Sequence, residues 1–253
     1  MDLQTYKERR EKLSQEAPKY RELCLNCIQP KFSCYCSHIQ AFDPCVDFVV
    51  LIHPIEVKRR IATGRMSHLV LQNSFLICGQ DYSADARVNQ ILTDPHRHCV
   101  MLYPGAQSQN LTFLTESERS QSYPPGKKLT IFVIDGTWAT AIKTVRQSQN
   151  LQALPRICFT PDKVSNFRVR KQPESFCYST IEAIHQTIEL IGRSQGFDVD
   201  SRVHDRLLQV FDKMVDTQIE CANRGEQKPD YLRYSRDRKR AQLAADSVSD
   251  GQK

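Results

Sequence analysis

The sequence predicts an α/β protein with a mostly parallel sheet flanked by helices. The first observation is a set of short aliphatic and aromatic runs, at 46–52, 75–78, 99–103, 129–134 and, more weakly, 156–159. Such runs are typical of strands buried on both faces of a sheet. The second is that stretches of helical character separate them, at 57–73, 83–93, 138–149, 180–195 and 201–221. Alternation of strand and helix favours a parallel sheet.

Composition and length limit the classes of protein that remain. With 253 residues, 40% of them hydrophobic, the chain can bury a sizeable core, which excludes wholesale disorder. No apolar run is long enough for a membrane-spanning helix, and the charged N-terminus lacks the apolar region of a signal peptide. We therefore expect no membrane association, and a cytoplasmic or nuclear protein whose 10 cysteines are thiols or metal ligands rather than disulfides.

Changes in composition and hydrophobic pattern along the chain divide it into three parts. We expect residues 1–44 to form an N-terminal arm with a cysteine cluster, 45–222 the α/β domain, and 223–253 a basic, disordered tail. Two long polar stretches, 105–128 and 160–178, interrupt the alternation. Structureless stretches of this length inside a compact domain are more often functional loops than connections, so we expect them near a site.

Four cysteines lie within 13 residues, Cys24, Cys27, Cys34 and Cys36. Four thiolates at this spacing suit the closed tetrahedral geometry of structural zinc, which predicts a small zinc motif that organises the N-terminal segment. The alternative is four unrelated buried cysteines, since a free cysteine packs like a small hydrophobe. Most of the other six cysteines, several of them inside apolar runs, are expected to be packing residues of that kind.

Three predicted strands end in unusual polar residues. The first ends in His53-Pro54-Ile55-Glu56, the third in Leu102-Tyr103-Pro104-Gly105, and the fourth in Ile134-Asp135-Gly136-Thr137-Trp138. Because ligands collect outside the carboxyl ends of parallel strands, we expect these residues to line one pocket. Simpler interpretations are also open: His53 is a strand-end residue that makes one hydrogen bond, Asp-Gly-Thr is ordinary turn and cap chemistry, and Trp138 is a core residue.

Basic residues mark two further regions. Arg168 and Arg170 precede Ser179-Thr180-Ile181-Glu182, which resembles a capping box, and a helix N-terminus beside arginines attracts carboxylates or phosphates. Lys58, Arg59, Arg60 and Arg65 are candidate RNA contacts, as is the tail segment 233–240. A solvated helix face and a solubilising tail are the alternatives.

These motifs occur together, and in this order, in one family. The four cysteines, His53-Pro54-x-Glu56 with Thr63-Gly64-Arg65, Asp135-Gly136-Thr137-Trp138, and Arg170 through Ala183 resemble those of the DTW-domain tRNA-uridine aminocarboxypropyltransferases, in particular their type 2 branch. The resemblance implies a SPOUT-like fold with a C-terminal trefoil knot that binds S-adenosylmethionine. It also implies transfer of the 3-amino-3-carboxypropyl group to N3 of a tRNA uridine, with release of 5′-methylthioadenosine.

With that reaction in view, Asp135 is the first candidate for the base that removes the N3 proton, and Glu56 and His53 are the second choices. Thr137 caps the following helix and Trp138 stacks on a base or faces the sulfonium. We expect the donor to be held by a set drawn from the strand ends and the late segment, namely Leu102, Tyr103, Pro104, Gly105, Ile134, Gly136, Arg168, Arg170, Ser179, Thr180 and Glu182.

Two other functions fit the same residues. A methyltransferase using S-adenosylmethionine is the nearest, because fold and donor do not fix which carbon is transferred. A non-catalytic, zinc-containing RNA-binding module is the other. The expected partner is tRNA, and the enzyme is expected to be a monomer or a homodimer.

Overall fold

The computed structural model describes residues 4–8, 22–169 and 177–226. Its centre is a six-stranded sheet with the order β2-β1-β5-β3-β6-β4, and every strand pair in it is parallel. The strands are β1 (Asp47–Ile52), β2 (Ser74–Cys78), β3 (Arg97–Leu102), β4 (Gln109–Asn110), β5 (Lys128–Asp135) and β6 (Arg156–Cys158). The predicted α/β architecture is confirmed.

Helices cover both faces of the sheet, which explains why its strands read as continuous apolar runs. They are α1 (Pro54–Val57), α2 (Thr63–Val70), α3 (Ala86–Thr93), α4 (Glu116–Gln121), α5 (Trp138–Gln147), α6 (Gln149–Gln152), α7 (Thr180–Ile191) and α8 (Arg206–Glu226). On one face α2, α7 and α8 pack against alternate strand residues such as Phe48 and Ile131. On the other, α3, α5 and α6 pack against residues such as Val49 and Phe132. All six residues of β1 are buried.

Two predicted segments differ from the structure. The helix expected over 57–73 is shorter and corresponds to α2 (Thr63–Val70), because α1 ends at Val57 and the chain turns before Thr63. The polar stretch 105–128 is not structureless, since it contains β4 and α4. Helix α4 begins with a capping box in which the Glu118 carboxylate accepts a hydrogen bond from the Thr115 N–H at 2.7 Å. Helix α4 was not predicted because its residues are polar; it is stabilised by the side chains of its own capping box.

The cysteine-rich segment packs directly on the α/β core. Cys27 and Tyr35 are at most 1% exposed and belong to the same hydrophobic cluster as α2 and α7. The N–H of Phe42 donates to the carbonyl of Val70 at 3.0 Å, which joins this segment to the end of α2. The cysteine-rich segment therefore supports α2, whose first residue, Thr63, lies at the carboxyl end of β5.

Some sequence predictions fall beyond what the structure describes. Arg170 and the segment 233–240 lie outside the described residues. Helix α8 continues to Glu226, a few residues past the predicted start of the tail at 223. The trefoil knot stays a prediction. None of the helices within the described ranges is long and apolar enough to span a membrane.

Candidate active site

A cavity of about 490 Å³ opens at the carboxyl ends of β3, β5 and β6. These strands are neighbours in the sheet, so the residues that follow them meet at one edge. The cavity is lined by Thr63, Leu102, Tyr103, Pro104, Val133, Ile134, Asp135, Gly136, Thr137, Trp138, Ala141, Cys158, Phe159, Pro161, Phe167, Cys177, Tyr178, Ser179, Thr180 and Ala183. Two of the three predicted strand-end clusters thus face one space, together with the start of α7.

Asp135 is the carboxylate of this cavity. It is the last residue of β5 and is 5% exposed. Its Oδ1 atom accepts a hydrogen bond from the Thr180 hydroxyl at 2.6 Å, and a second, longer one from the Thr63 hydroxyl at 3.5 Å. Hydrogen bonds from two hydroxyl groups fix the orientation of the carboxylate. Three segments distant in sequence, β5, α2 and α7, therefore define where this carboxylate points.

Gly64 allows α2 to approach Asp135 at this distance. A Cβ atom added to Gly64 would lie 2.6 Å from Asp135 Cγ and 2.8 Å from its Oδ2 atom. Real Cβ atoms are not found that close to another heavy atom. The glycine of the Thr63-Gly64-Arg65 motif thus has a steric reason in this chain, which is to leave room for the carboxylate.

Two helix N-termini point toward the same cavity. Helix α5 starts at Trp138, and its N-cap hydroxyl, that of Thr137, accepts a hydrogen bond from the Thr140 N–H at 3.2 Å. Helix α7 starts at Thr180, beside Asp135. The partial positive charge of helix N-termini stabilises nearby anions, so the cavity favours an anionic group on a ligand.

Glu182 holds the start of α7 rather than lining the cavity. Its carboxylate accepts hydrogen bonds from the Ser179 N–H at 2.8 Å, the Ser179 hydroxyl at 2.6 Å, the Ser165 hydroxyl at 2.7 Å and the Asn166 N–H at 2.7 Å. The predicted capping box is present. Because two of these four donors come from Ser165 and Asn166, Glu182 also fastens the loop at 165–166 and positions the cavity wall.

Several residues predicted for the site do not line this cavity. Glu56 is buried and pairs with Arg59 at 2.8 Å. His53 caps α1 through its Nδ1 atom, which accepts from the Ile55 N–H at 3.3 Å. Arg168 is half exposed and pairs with Asp216 of α8 at 2.6 Å. Gly105 lies just beyond the lining residues of its turn. Asp135 is the better candidate for the base, because it lines the cavity and Glu56 and His53 do not.

Sequence reasoning missed part of the cavity wall. Phe159, Phe167 and Tyr178 line it, and Tyr178 donates to Asp162 at 3.2 Å. Burial is the main cause that raises the pKa of Tyr178. Phe159 directly follows β6, so the strand-end rule that found Asp135 also points to it. Phe167 and Tyr178 come from the long polar stretch 160–178, where no periodicity marks a wall.

The predicted RNA-contacting residues separate into two groups. Lys58, Arg59 and Arg60 are exposed and lie in the turn between α1 and α2 rather than on a helix. Arg65 is 6% exposed, and its guanidinium donates to the carbonyl of Val57. Arg65 thus braces α2 against α1 from inside and does not share the surface of the other three.

The four N-terminal cysteines form one cluster. Their Sγ atoms all lie within 4.8 Å of one another, and the two nearest pairs, Cys24–Cys36 and Cys27–Cys34, are each 3.6 Å apart. All four are free thiols. The turn after Cys27 is closed by Ile28 in the left-handed conformation, with φ of 60°, and the Ile28 N–H donates to the Cys24 carbonyl at 2.9 Å.

Backbone donors and burial act in opposite directions within this cluster. The N–H groups of Cys27 and Asn26 lower the pKa of Cys24 to about 6. Burial raises the pKa of Cys27 and Cys36. Four thiolates this close would repel one another without a cation among them, and a soft, closed set of four sulfurs is the donor set of structural zinc. The residues present fit such an ion.

Comparison with known proteins identifies the family of this chain. The model of the DTW domain matches residues 21–219. The chain belongs to the DTW-domain family. The DTW-family match covers the cysteine cluster, the sheet and every residue that lines the cavity.

Named relatives are distant but cover most of the chain. It is 27% identical over 186 residues to a Drosophila melanogaster protein named tRNA-uridine aminocarboxypropyltransferase 2, a match of 71% of this chain and 70% of the relative. The Mus musculus protein of the same name is 25% identical, and this match spans only 59% of its length. The Arabidopsis thaliana tRNA-uridine aminocarboxypropyltransferase A is 22% identical over 87% of this chain. No solved structure matches the chain.

Proposed function

We propose that this DTW-family chain transfers the 3-amino-3-carboxypropyl group of S-adenosylmethionine to N3 of a uridine in tRNA. The observation that carries the proposal is the buried Asp135 carboxylate at a strand end, inside a cavity bounded by two helix N-termini. The names of the Drosophila melanogaster and Mus musculus relatives support the donor group and the acceptor.

The bonds that change define what the cavity must do. When bound, S-adenosylmethionine would supply a carbon activated by its sulfonium: an N3–C bond forms, a C–S bond breaks, and 5′-methylthioadenosine leaves. The uracil imide N3–H is only weakly acidic, so loss of its proton is what makes N3 a good nucleophile. The protein must therefore accept that proton and hold N3 in line with one of three carbons on sulfur.

Asp135 would accept the N3 proton. Thr180 and Thr63 hold its Oδ1 atom, which fixes the direction from which the carboxylate meets the uracil ring. Trp138 is 45% exposed at the N-terminus of α5 and lines the cavity, where its indole offers a stacking surface for the base. Sequence-predicted contacts at Tyr103 and Pro104 form another part of the wall.

The cavity suits a donor of this size and polarity. Its volume of about 490 Å³ lies within the range of roughly 300–1,000 Å³ that small-molecule sites occupy. Apolar walls at Val133, Phe159 and Phe167 suit an adenine ring. The start of α7 would hold the donor's carboxylate through its backbone N–H groups, a role for which the sequence also offers Arg168 and Arg170.

A structural zinc ion would hold the cysteine cluster, and its effect would extend to the cavity. Gln29, two residues after Cys27, donates to the carbonyl of Arg60 at 2.7 Å in the turn before α2. Helix α2 begins at Thr63, one of the hydrogen-bond donors of Asp135. The cluster thus fixes the turn from which Thr63 and Gly64 reach the carboxylate.

Metal content and heat stability test the zinc site. The purified protein should contain one zinc ion per chain, and Cys27→Ser should lose it. Structural zinc binds peptides with about 10–16 kcal/mol, so losing even about 3 kcal/mol would lower Tm by roughly 6–12 °C. Cys221→Ser, on α8 outside the cluster, should retain both the metal and the melting temperature. A purified protein that contains no zinc, and whose Tm does not change when a chelator is added, would contradict the zinc site.

Trp138 is the chain's only tryptophan, so its fluorescence reports on the cavity. We expect S-adenosylmethionine to change the emission saturably, because Trp138 lines the cavity and is partly exposed to water. Trp138→Phe should remove the signal while equilibrium dialysis still detects binding. Binding by dialysis with no change in the wild-type emission would place the donor elsewhere.

The reaction itself is tested with unmodified tRNA and S-adenosylmethionine, by mass spectrometry of nucleosides and by-product. A uridine heavier by one aminocarboxypropyl group, with 5′-methylthioadenosine released, is the expected result. A methylated nucleoside with S-adenosylhomocysteine would support the donor site but would show that the protein transfers a methyl group instead. Bound tRNA without any product would favour the non-catalytic RNA-binding module.

A further inference from the structure

A second cavity adjoins the first across the ring of Tyr103. It also measures about 490 Å³ and is lined by Tyr103, Ile142, Val145, Arg146, Gln152 and Arg156. Tyr103 lines both cavities, so the two share a wall. We call this second cavity, between α5 and the start of β6, the α5–β6 groove. It is a direct continuation of the surface around the reaction site.

The two arginines of the groove differ from the ion-paired arginines in the part of the chain that the structure describes. Elsewhere in the described residues, arginines such as Arg97, Arg168 and Arg202 form ion pairs with carboxylates. Within those same ranges, neither Arg146 nor Arg156 has an ion-pair partner. The guanidinium of Arg156 instead lies over the Tyr103 ring, 5.4 Å from its centroid. A cation held by an aromatic face keeps its N–H donors for an anion.

Helix α5 connects this groove to the mouth of the first cavity. Trp138, Ile142 and Arg146 are exposed and occupy positions i, i+4 and i+8, which places them on one helix face. Eight residues of α-helix span about 12 Å, the length of about three stacked nucleotides at roughly 3.4 Å each. An aromatic ring and a cation along one helix face, with the second cation, Arg156, across the groove, form the kind of surface that binds single-stranded nucleic acid, through base stacking and phosphate contacts.

We propose that the α5–β6 groove binds the RNA backbone next to the target uridine, with Arg146 and Arg156 as its phosphate contacts. This inference rests on the proposed transfer to a tRNA uridine. No acidic side chain is among the described residues that line the groove, so a phosphate entering it meets only positive charge. The site was not among the basic segments singled out in the sequence, because its two arginines are ten residues apart.

The test compares charge removal in the groove with the same change on the opposite edge of the sheet. Arg146→Gln, Arg156→Gln and the double variant are compared with Lys127→Gln, because Lys127 is exposed and precedes the amino end of β5. We expect each groove variant to weaken tRNA binding evenly across tRNAs. The slope of log affinity against log salt should fall by about 1 for each arginine removed and by about 2 in the double variant.

Kinetics and donor binding separate this inference from the proposed function. In the double variant KM for tRNA should rise, while kcat at saturating tRNA and donor binding measured by Trp138 fluorescence stay near the wild-type values. If the groove variants had the same salt slope as Lys127→Gln, the proposal that the groove binds RNA would be wrong. Wild-type protein that binds tRNA but transfers nothing would overturn the proposed function and leave the slope comparison intact.

Discussion

Replacing Asp135 by asparagine is expected to lower the rate of transfer by about 10²–10⁴-fold, the usual contribution of a general base. Asparagine has nearly the same shape and keeps an oxygen that accepts from Thr180 and Thr63, so the cavity should be preserved. It cannot take the N3 proton. The single-turnover rate with saturating tRNA and donor measures the step directly.

Two controls make the Asp135→Asn result specific to proton transfer. Donor binding, followed by Trp138 fluorescence, should be close to that of the wild type. Raising the pH ionises more of the uracil imide without help from the protein, so the variant should regain part of its rate at high pH. A variant with the wild-type rate at neutral pH would eliminate Asp135 as the base.

The fold was predictable because burial on both faces leaves a simple pattern. The runs at 46–52 and 129–134 lie within or close to β1 and β5, the two most buried strands, and β5 ends at Asp135 in the cavity. The capped helix α4 was not predictable from periodicity, since it has six residues, none of them buried. Its signal was local, a Thr115-x-x-Glu118 capping box inside a polar stretch.

The candidate site was predictable where it follows strand ends, and less so where it depends on charge. Asp135 and Tyr103 were found because parallel strands bring their ends together. Arg168 was assigned to the donor from its proximity in sequence to α7, but its partner Asp216 comes from α8, a contact that no local motif reveals. Arg65 shows the same difficulty: its neighbours in sequence are exposed, whereas it is buried.

The closeness of Gly64 to Asp135 leads to the second large expected effect. Gly64→Ala would place a Cβ atom 2.6 Å from Asp135 Cγ, so the carboxylate or α2 must move. A displacement near 1 Å in a reacting group can cost about 10²-fold in rate, and we expect a loss of that size in kcat with donor binding little changed. Overpacking costs about 1–3 kcal/mol, while alanine in a helix regains about 1 kcal/mol over glycine. The variant should therefore fold, with a modestly lower Tm.

A double-mutant cycle decides whether Gly64 acts through the carboxylate. If the added methyl group slows transfer by displacing Asp135, then Gly64→Ala should cost little further rate in the Asp135→Asn background, where no base remains to be displaced. If the two substitutions act independently, the rate losses of the single variants would instead multiply in the double variant. A Gly64→Ala protein with full activity would mean that α2 shifts to accommodate the methyl group, and the carboxylate would then not require this close approach. Multiplied losses would point to a role for Gly64 apart from Asp135, such as room for the substrate itself.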